Sequence, residues 1–174
     1  KGAPTSEITS SKKPTVVNGL DSYVSLPTLT VSASDDNLLS KVTVSVNGVE
    51  TNSYENINTT SKNFDIDFSN VKDTFAYNVT VTTVDVVGNK STTSYAFTKD
   101  NILPSISKVT LENKDVVVYD NIVFLKEQPK ISVTTGSSFI GIDKVTLNGE
   151  EVDVNSPITV EDATGGVLLA TNKL

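Results

Sequence analysis

Apolar and polar residues alternate one for one along most of the first hundred positions. Leu29, Val31 and Ala33 are interleaved with Thr30 and Ser32, and Val42, Val44 and Val46 with Thr43 and Ser45. Phe64, Ile66 and Phe68 enclose Asp65 and Asp67, while Tyr77, Val79 and Val81 enclose Asn78 and Thr80. Successive side chains of an extended backbone leave opposite faces, so each run predicts a strand with one face buried and one wet. No stretch repeats its apolar residues at helical spacing. Leu29, Val31, Val42, Val44, Phe64, Ile66, Tyr77, Val79, Val81 and Phe97 are the expected inward set. Asn47-Gly48 and Asn148-Gly149 supply the positive φ angles that a tight primed turn requires, which predicts a hairpin at each.

Those two turns belong to a longer repeat. Pro27-Thr28-Leu29-Thr30-Val31-Ser32 is echoed by Pro129-Lys130-Ile131-Ser132-Val133-Thr134, and Lys41 to Gly48 by Gly141 to Gly149. Ala3-Pro4 and Leu103-Pro104 open the two copies. The spacing is about one hundred residues, the size of one immunoglobulin-type sandwich. The expected fold class is therefore all-β: two tandem immunoglobulin-like β-sandwiches, 1–99 and 100–174, the second incomplete. Carried across the repeat, Tyr77 through Phe97 would fall beyond Leu174. The second copy is thus expected to lack its final two strands, and the chain to continue past Leu174.

Composition narrows the chemistry. The chain contains no Cys, His, Met, Trp or Arg, which removes thiolate and imidazole nucleophiles, bases and metal ligands. Fourteen lysines against twenty-one acidic residues leave a net charge of −7. Phosphate backbones are repelled by such a surface, so no nucleic-acid partner is expected. No apolar run approaches the roughly 20 residues that span a bilayer, so no membrane insertion is expected either.

Val31 to Val42, the Asn47-Gly48 turn, and Tyr77 to Asn89 with its Asp-x-x-Gly-Asn ending together resemble the bacterial immunoglobulin-like modules of Gram-positive surface proteins and large secreted enzymes. The resemblance covers the first copy and about two-thirds of a second. It implies an extracellular chain, secreted or cell-wall associated, that is no enzyme and acts as a structural spacer, stalk or adhesion module. Two alternatives are a binding module for a host protein or cell-wall glycan, and an accessory region of a large hydrolase whose catalytic domain lies elsewhere. The expected partners are neighbouring domains of the same polypeptide, and the expected state is a monomer.

Polar clusters supply the candidate sites. Asp35, Asp36 and Asn37, in a loop after one core strand, and Asp85 and Asn89, in the loop before the last, would emerge at one end of a sandwich. Asp35, Asp36, Asp85 and Asn89 are the candidate calcium ligands, since calcium takes six to eight oxygens. The competing reading is that these side chains cap their own turns. Asp65 and Asp67 form an acidic pair expected on a solvent face, and Glu150-Glu151 a solvated turn. The resemblance makes Lys13, Lys41 and Lys108 candidates for the Lys to Asn bond that some such surface modules carry beside a buried carboxylate, and the simpler reading is that they guard strand edges. Tyr54 and Tyr119 are the remaining sugar-stacking candidates. Asn58, Asn78 and Asn89 open triplets of the glycosylation pattern.

Overall fold

A computed structural model describes residues 2–136, 138–160 and 168–172, without the side chains of Ile122, Val123 and 168–172. The described residues are all-β, and no helix long and apolar enough to cross a membrane occurs among them. The chain divides into two compact units, Lys1–Asn101 and Ile102–Leu174.

Unit 1 contains β1 (Thr5–Ser10), β2 (Thr15–Val17), β3 (Leu20–Tyr23), β4 (Leu29–Val46), β5 (Val49–Asp65), β6 (Ala76–Asp85) and β7 (Lys90–Lys99). They pair in the order β1-β4-β6-β7-β3-β2, with β5 on β4. Two strands serve both layers. The first half of β4 pairs with β1 and the end of β5, and its second half pairs with β6 and the start of β5. Register shifts between Ser34 and Leu39, and again between Leu39 and Lys41, mark the passage from one layer to the other. Buried residues from both halves meet in one cluster: Leu29, Val31 and Ala33 from the first, Leu39, Val42, Val44 and Val46 from the second. Tyr77, Val79 and Val81 of β6 and Phe97 of β7 join them, with Phe97 stacked on Tyr77 at 4.9 Å between ring centres. The expected inward set is buried, except that Phe64 is half-buried and packs against the cluster edge.

The structure departs from the alternation reading in three places. Residues 35–37 are not a loop but lie within β4, because the strand turns the corner between layers without leaving extended backbone. The strand expected through Phe68 ends at Asp65, beyond which Ile66 still reaches the core. A hairpin, β2 with β3, closes on Asn18 and Gly19 at φ 52° and 80°. Its residues Thr15 to Tyr23 are too few to display a period of two.

Unit 2 contains β8 (Ile106–Leu111), β9 (Val116–Tyr119), β10 (Ile122–Leu125), β11 (Lys130–Thr135), β12 (Ile142–Leu147), β13 (Glu150–Val152), β14 (Ile158–Thr159) and β15 (Leu168–Asn172). They form sheets β10-β9, β14-β11-β8 and β13-β12-β15. The pairing repeats that of unit 1. β8 lies on β11 as β1 lies on β4, and β12 turns into β13 through Asn148 and Gly149 as β4 turns into β5. β15 lies on β12 where β6 lies on β4, with Leu147 opposite Leu168 as Val46 is opposite Val79. This corrects the expectation that both closing strands fall beyond Leu174. Leu168 follows Gly149 much more closely than Val79 follows Gly48, so the first of the two strands fits inside the chain.

Candidate functional site

Asp85 ends β6, and its carboxylate is 1% exposed. Its Oδ1 accepts the backbone N–H groups of Val87 at 3.0 Å and Asn89 at 2.8 Å. Its Oδ2 accepts the Asn89 side-chain amide at 2.8 Å. Burial alone would raise the pKa of this carboxyl. The donors of Asn89, Val87 and Gly88 outweigh burial and hold it below the ordinary Asp value. The turn is also tied sideways, since Val86 N–H donates to the Leu38 carbonyl at 2.9 Å. Asp85-Val86-Val87-Gly88-Asn89 is thus a carboxylate-centred turn in which Gly88, at φ 95°, takes the left-handed conformation that a Cβ would oppose.

Of the four candidate calcium ligands, Asp85 and Asn89 meet, but as acceptor and donor of one another. The Asn89 amide N–H faces the carboxylate, so a cation in its place would require that amide to turn over. Asp35 Oδ1 accepts the Asn37 N–H at 2.6 Å, and Asp35 and Asp36 line a hollow of about 420 Å³ with Gly2, Ala3, Thr5 and Ser34. Among the described residues, no three acidic side chains come close enough to share a metal ion.

The other candidates are engaged in the fold or exposed. Asp65 accepts the Thr30 hydroxyl at 2.7 Å across the sheet, and Asp67 accepts the Ser69 N–H at 2.8 Å, so this pair caps and braces its own strands. Lys41 is paired with Glu55 at 2.7 Å on an exposed face, where such a bridge is screened and adds little. Lys13 and Lys108 are exposed. Tyr54 packs on Phe64 at 4.6 Å between ring centres, and the Lys62 ammonium stands over its ring at 4.3 Å, so the ring is already engaged within the fold. Tyr119 is exposed in β9. Glu150 is exposed beside its turn, and Glu151 lines a second hollow of about 580 Å³ with Thr135, Lys144, Val152 and Asn155 among others.

Two polar arrangements have no signal in the sequence, because each joins residues far apart along it. The Tyr95 hydroxyl donates to Asp21 Oδ2 at 2.6 Å, and the Tyr23 hydroxyl stands 2.8 Å from it. Burial pushes the Tyr95 hydroxyl pKa far up, and the bonds to Asp21 and Tyr23 push the same way. Beside it the Ser22 and Thr98 hydroxyls meet at 2.7 Å. Both fasten β3 to β7, the parallel pair in which Asp21, Ser22 and Tyr23 stand opposite Phe97, Thr98 and Lys99. Just before β6, Asp73 accepts the hydroxyl of Tyr77, four residues on, at 2.8 Å and is ion-paired with Lys99 of β7. The Lys99 and Tyr77 bonds hold the Asp73 carboxyl below its ordinary range.

No family model matches the chain, and no curated protein matches it. Among solved structures it is similar to the fibronectin(III)-like modules of Clostridium thermocellum CbhA, with 18% identity and a TM-score of 0.38. That likeness covers 94% of this chain and 78% of the other. The overlap is loose, and the strand pairing within each unit defines the fold.

Proposed function

We propose that the chain is a non-catalytic structural region, a spacer or stalk of two modules within a larger extracellular bacterial protein. One observation carries this reading. The polar side chains of unit 1 that are buried or half-buried and hydrogen-bonded are engaged with other parts of the fold: Asp85 with its turn, Ser22 with Thr98, and Tyr95 with Asp21 and Tyr23. Groups arranged in this way lock strands together, whereas a catalytic group needs an acid, base or nucleophile presented to a substrate. The pattern suits a module whose task is to keep its shape and hold its neighbours apart.

The test is a thermal-shift screen of the full chain against cell-wall glycans and extracellular host proteins. A spacer keeps its Tm throughout. A saturable rise with one ligand would recast the chain as an adhesion module.

A further inference from the structure

Two hairpin turns of unit 1 have nearly the same local sequence and differ in what holds them. Val17-Asn18-Gly19-Leu20 closes β2 on β3, and Val46-Asn47-Gly48-Val49 closes β4 on β5. Their backbones agree, with φ of 52° and 80° at Asn18 and Gly19 and of 50° and 82° at Asn47 and Gly48. All four turn residues are exposed, and glycine leaves the peptide nitrogen that follows each Asn without a side chain to shield it. The two Asn side chains, however, are held differently. Asn47 Oδ1 accepts the Asn78 N–H at 2.8 Å, and its Nδ2 donates to the Ala76 carbonyl at 3.1 Å, which ties the turn to β6. Its backbone N–H adds a bond to the Asn78 carbonyl at 2.9 Å. The Asn18 side chain has no such tie among the described residues. Its turn leads out of β2, a three-residue strand at the edge of the sheet that pairs only with β3.

We propose that Asn18 is a site of spontaneous covalent modification, converted by loss of its side-chain amide to aspartate and isoaspartate, and that the fold protects Asn47 from the same reaction. Water and solvent base are the only co-reactants. The Gly19 nitrogen gives its proton to solvent base and bonds to Asn18 Cγ. The Cγ–Nδ2 bond breaks, ammonia leaves with a proton from solvent, and a five-membered succinimide closes. Water then opens the ring at either carbonyl, so that overall one water is consumed and one ammonia released. Opening at one carbonyl gives aspartate, and opening at the other routes the main chain through Cγ as isoaspartate, one methylene longer. Attack requires the side chain to swing over the peptide that follows it, out of the turn conformation. For Asn18 only the pairing of a short edge hairpin opposes this, whereas Asn47 must also leave Asn78 and Ala76. The isoaspartate product has the larger structural consequence, because a two-residue turn sets the register of its strands and the added methylene displaces β3. That strand carries Asp21, Ser22 and Tyr23, whose bonds to Tyr95 and Thr98 fasten it to β7.

The experiment ages the full chain in warm, mildly alkaline buffer, cuts it with a Lys-specific protease and follows each Asn by mass spectrometry, with electron-transfer fragmentation to separate isoaspartate from aspartate. Asn18 is expected to convert at least about tenfold faster than Asn47, the order set by the two side-chain hydrogen bonds that Asn47 must give up. In denaturant, where only the local sequence acts, the two rates should converge. Equal rates in the folded chain, a faster Asn47, or an inert Asn18 under conditions where the denatured chain reacts would overturn the proposal. A rate ratio that survives denaturation would do so too, since it would then come from Leu20 and Val49 and not from the fold. Hydrogen exchange of the separated isoaspartate form should show lost protection in Leu20–Tyr23 with the second half of β4 unchanged. Asn18→Asp, which carries the new charge without the extra methylene, should keep that protection. An isoaspartate form that exchanges like Asn18→Asp would overturn the structural consequence.

Discussion

Asp85 shows how one carboxylate can organise a turn. Its oxygens accept three hydrogen bonds of 2.8 to 3.0 Å within a stretch of five residues. Replacing it with Ala leaves the Val87 and Asn89 donors without an acceptor, so Asp85→Ala should lower Tm clearly. Asp85→Asn should be nearly as damaging, because an amide points N–H at one of those donors. The pH dependence has a definite sign. The folded-state pKa is depressed, so the stabilisation is fully present above the ordinary Asp value of about 3.9 and is lost as pH falls through the folded value. Chemical denaturation across the acid range should therefore show the difference between wild type and Asp85→Asn shrinking below about pH 4. Calcium offers an independent check on the same group. A Tm unchanged by added calcium fits a turn-holding carboxylate, and a rise that disappears in Asp85→Ala would place a cation among Asp35, Asp36, Asp85 and Asn89. In the core the outcome depends on packing alone. Val44 and Val79 are fully buried, so truncating either to Ala should cost about 1–3 kcal/mol in a denaturant titration, with the slope m unchanged.

Among the elements, legibility in the sequence follows the range of the forces involved. β4 and β6 were readable in part because a strand with one buried face must alternate, and Leu29 through Ala33, Val42 through Val46 and Tyr77 through Val81 do. The Asn47 turn was readable because φ angles of 50° and 82° are available only to a narrow set of residues. Ala at Gly48 should cost about 1 kcal/mol through that backbone alone, measurable as a lower denaturation midpoint, since its Cβ would meet open space. Continuity of β4 through residues 35–37 was not readable. Asp, Asp and Asn are turn formers by local preference, and pairing of β4 with β1 and β5 before the corner and with β5 and β6 after it keeps them extended. Of the two readings of the candidate cluster, the one in which its side chains cap their own turns describes Asp85 and Asn89. Their role is set by the backbone N–H groups that converge on Asp85, which residue types alone do not reveal. The β3 and β7 fastening was invisible because Asp21 and Tyr95 are brought together only by a parallel pairing.

At the scale of the whole molecule the two units differ in how many apolar side chains are buried among the described residues. Thirteen residues form the buried cluster of unit 1, whereas among the described residues of unit 2 only Val133, Ile140 and Val145 are buried apolar side chains. Burial of this kind supplies most of the drive to fold, about 25 cal/mol per Å² removed from water, against a conformational entropy cost that grows with every residue ordered. Unit 2 also leaves Val117, Val118, Tyr119 and Phe124 exposed on the hairpin of β9 and β10, whereas Ser22, at the position of Phe124 in unit 1, is buried against Thr98 of β7. Unit 1 should therefore be the more stable of the two. Calorimetry of the full chain should resolve two transitions, unit 2 melting first, and a chain ending at Asn101 should reproduce the upper one. Hydrogen exchange offers a second measure of the same order: amides of β6 and the second half of β4 should exchange only by global opening of unit 1, while those of β9 and β10 exchange by local opening well below that limit. A single transition, with both units losing structure together, would show that contacts between the units contribute to stability and that neither can be treated as an independent module.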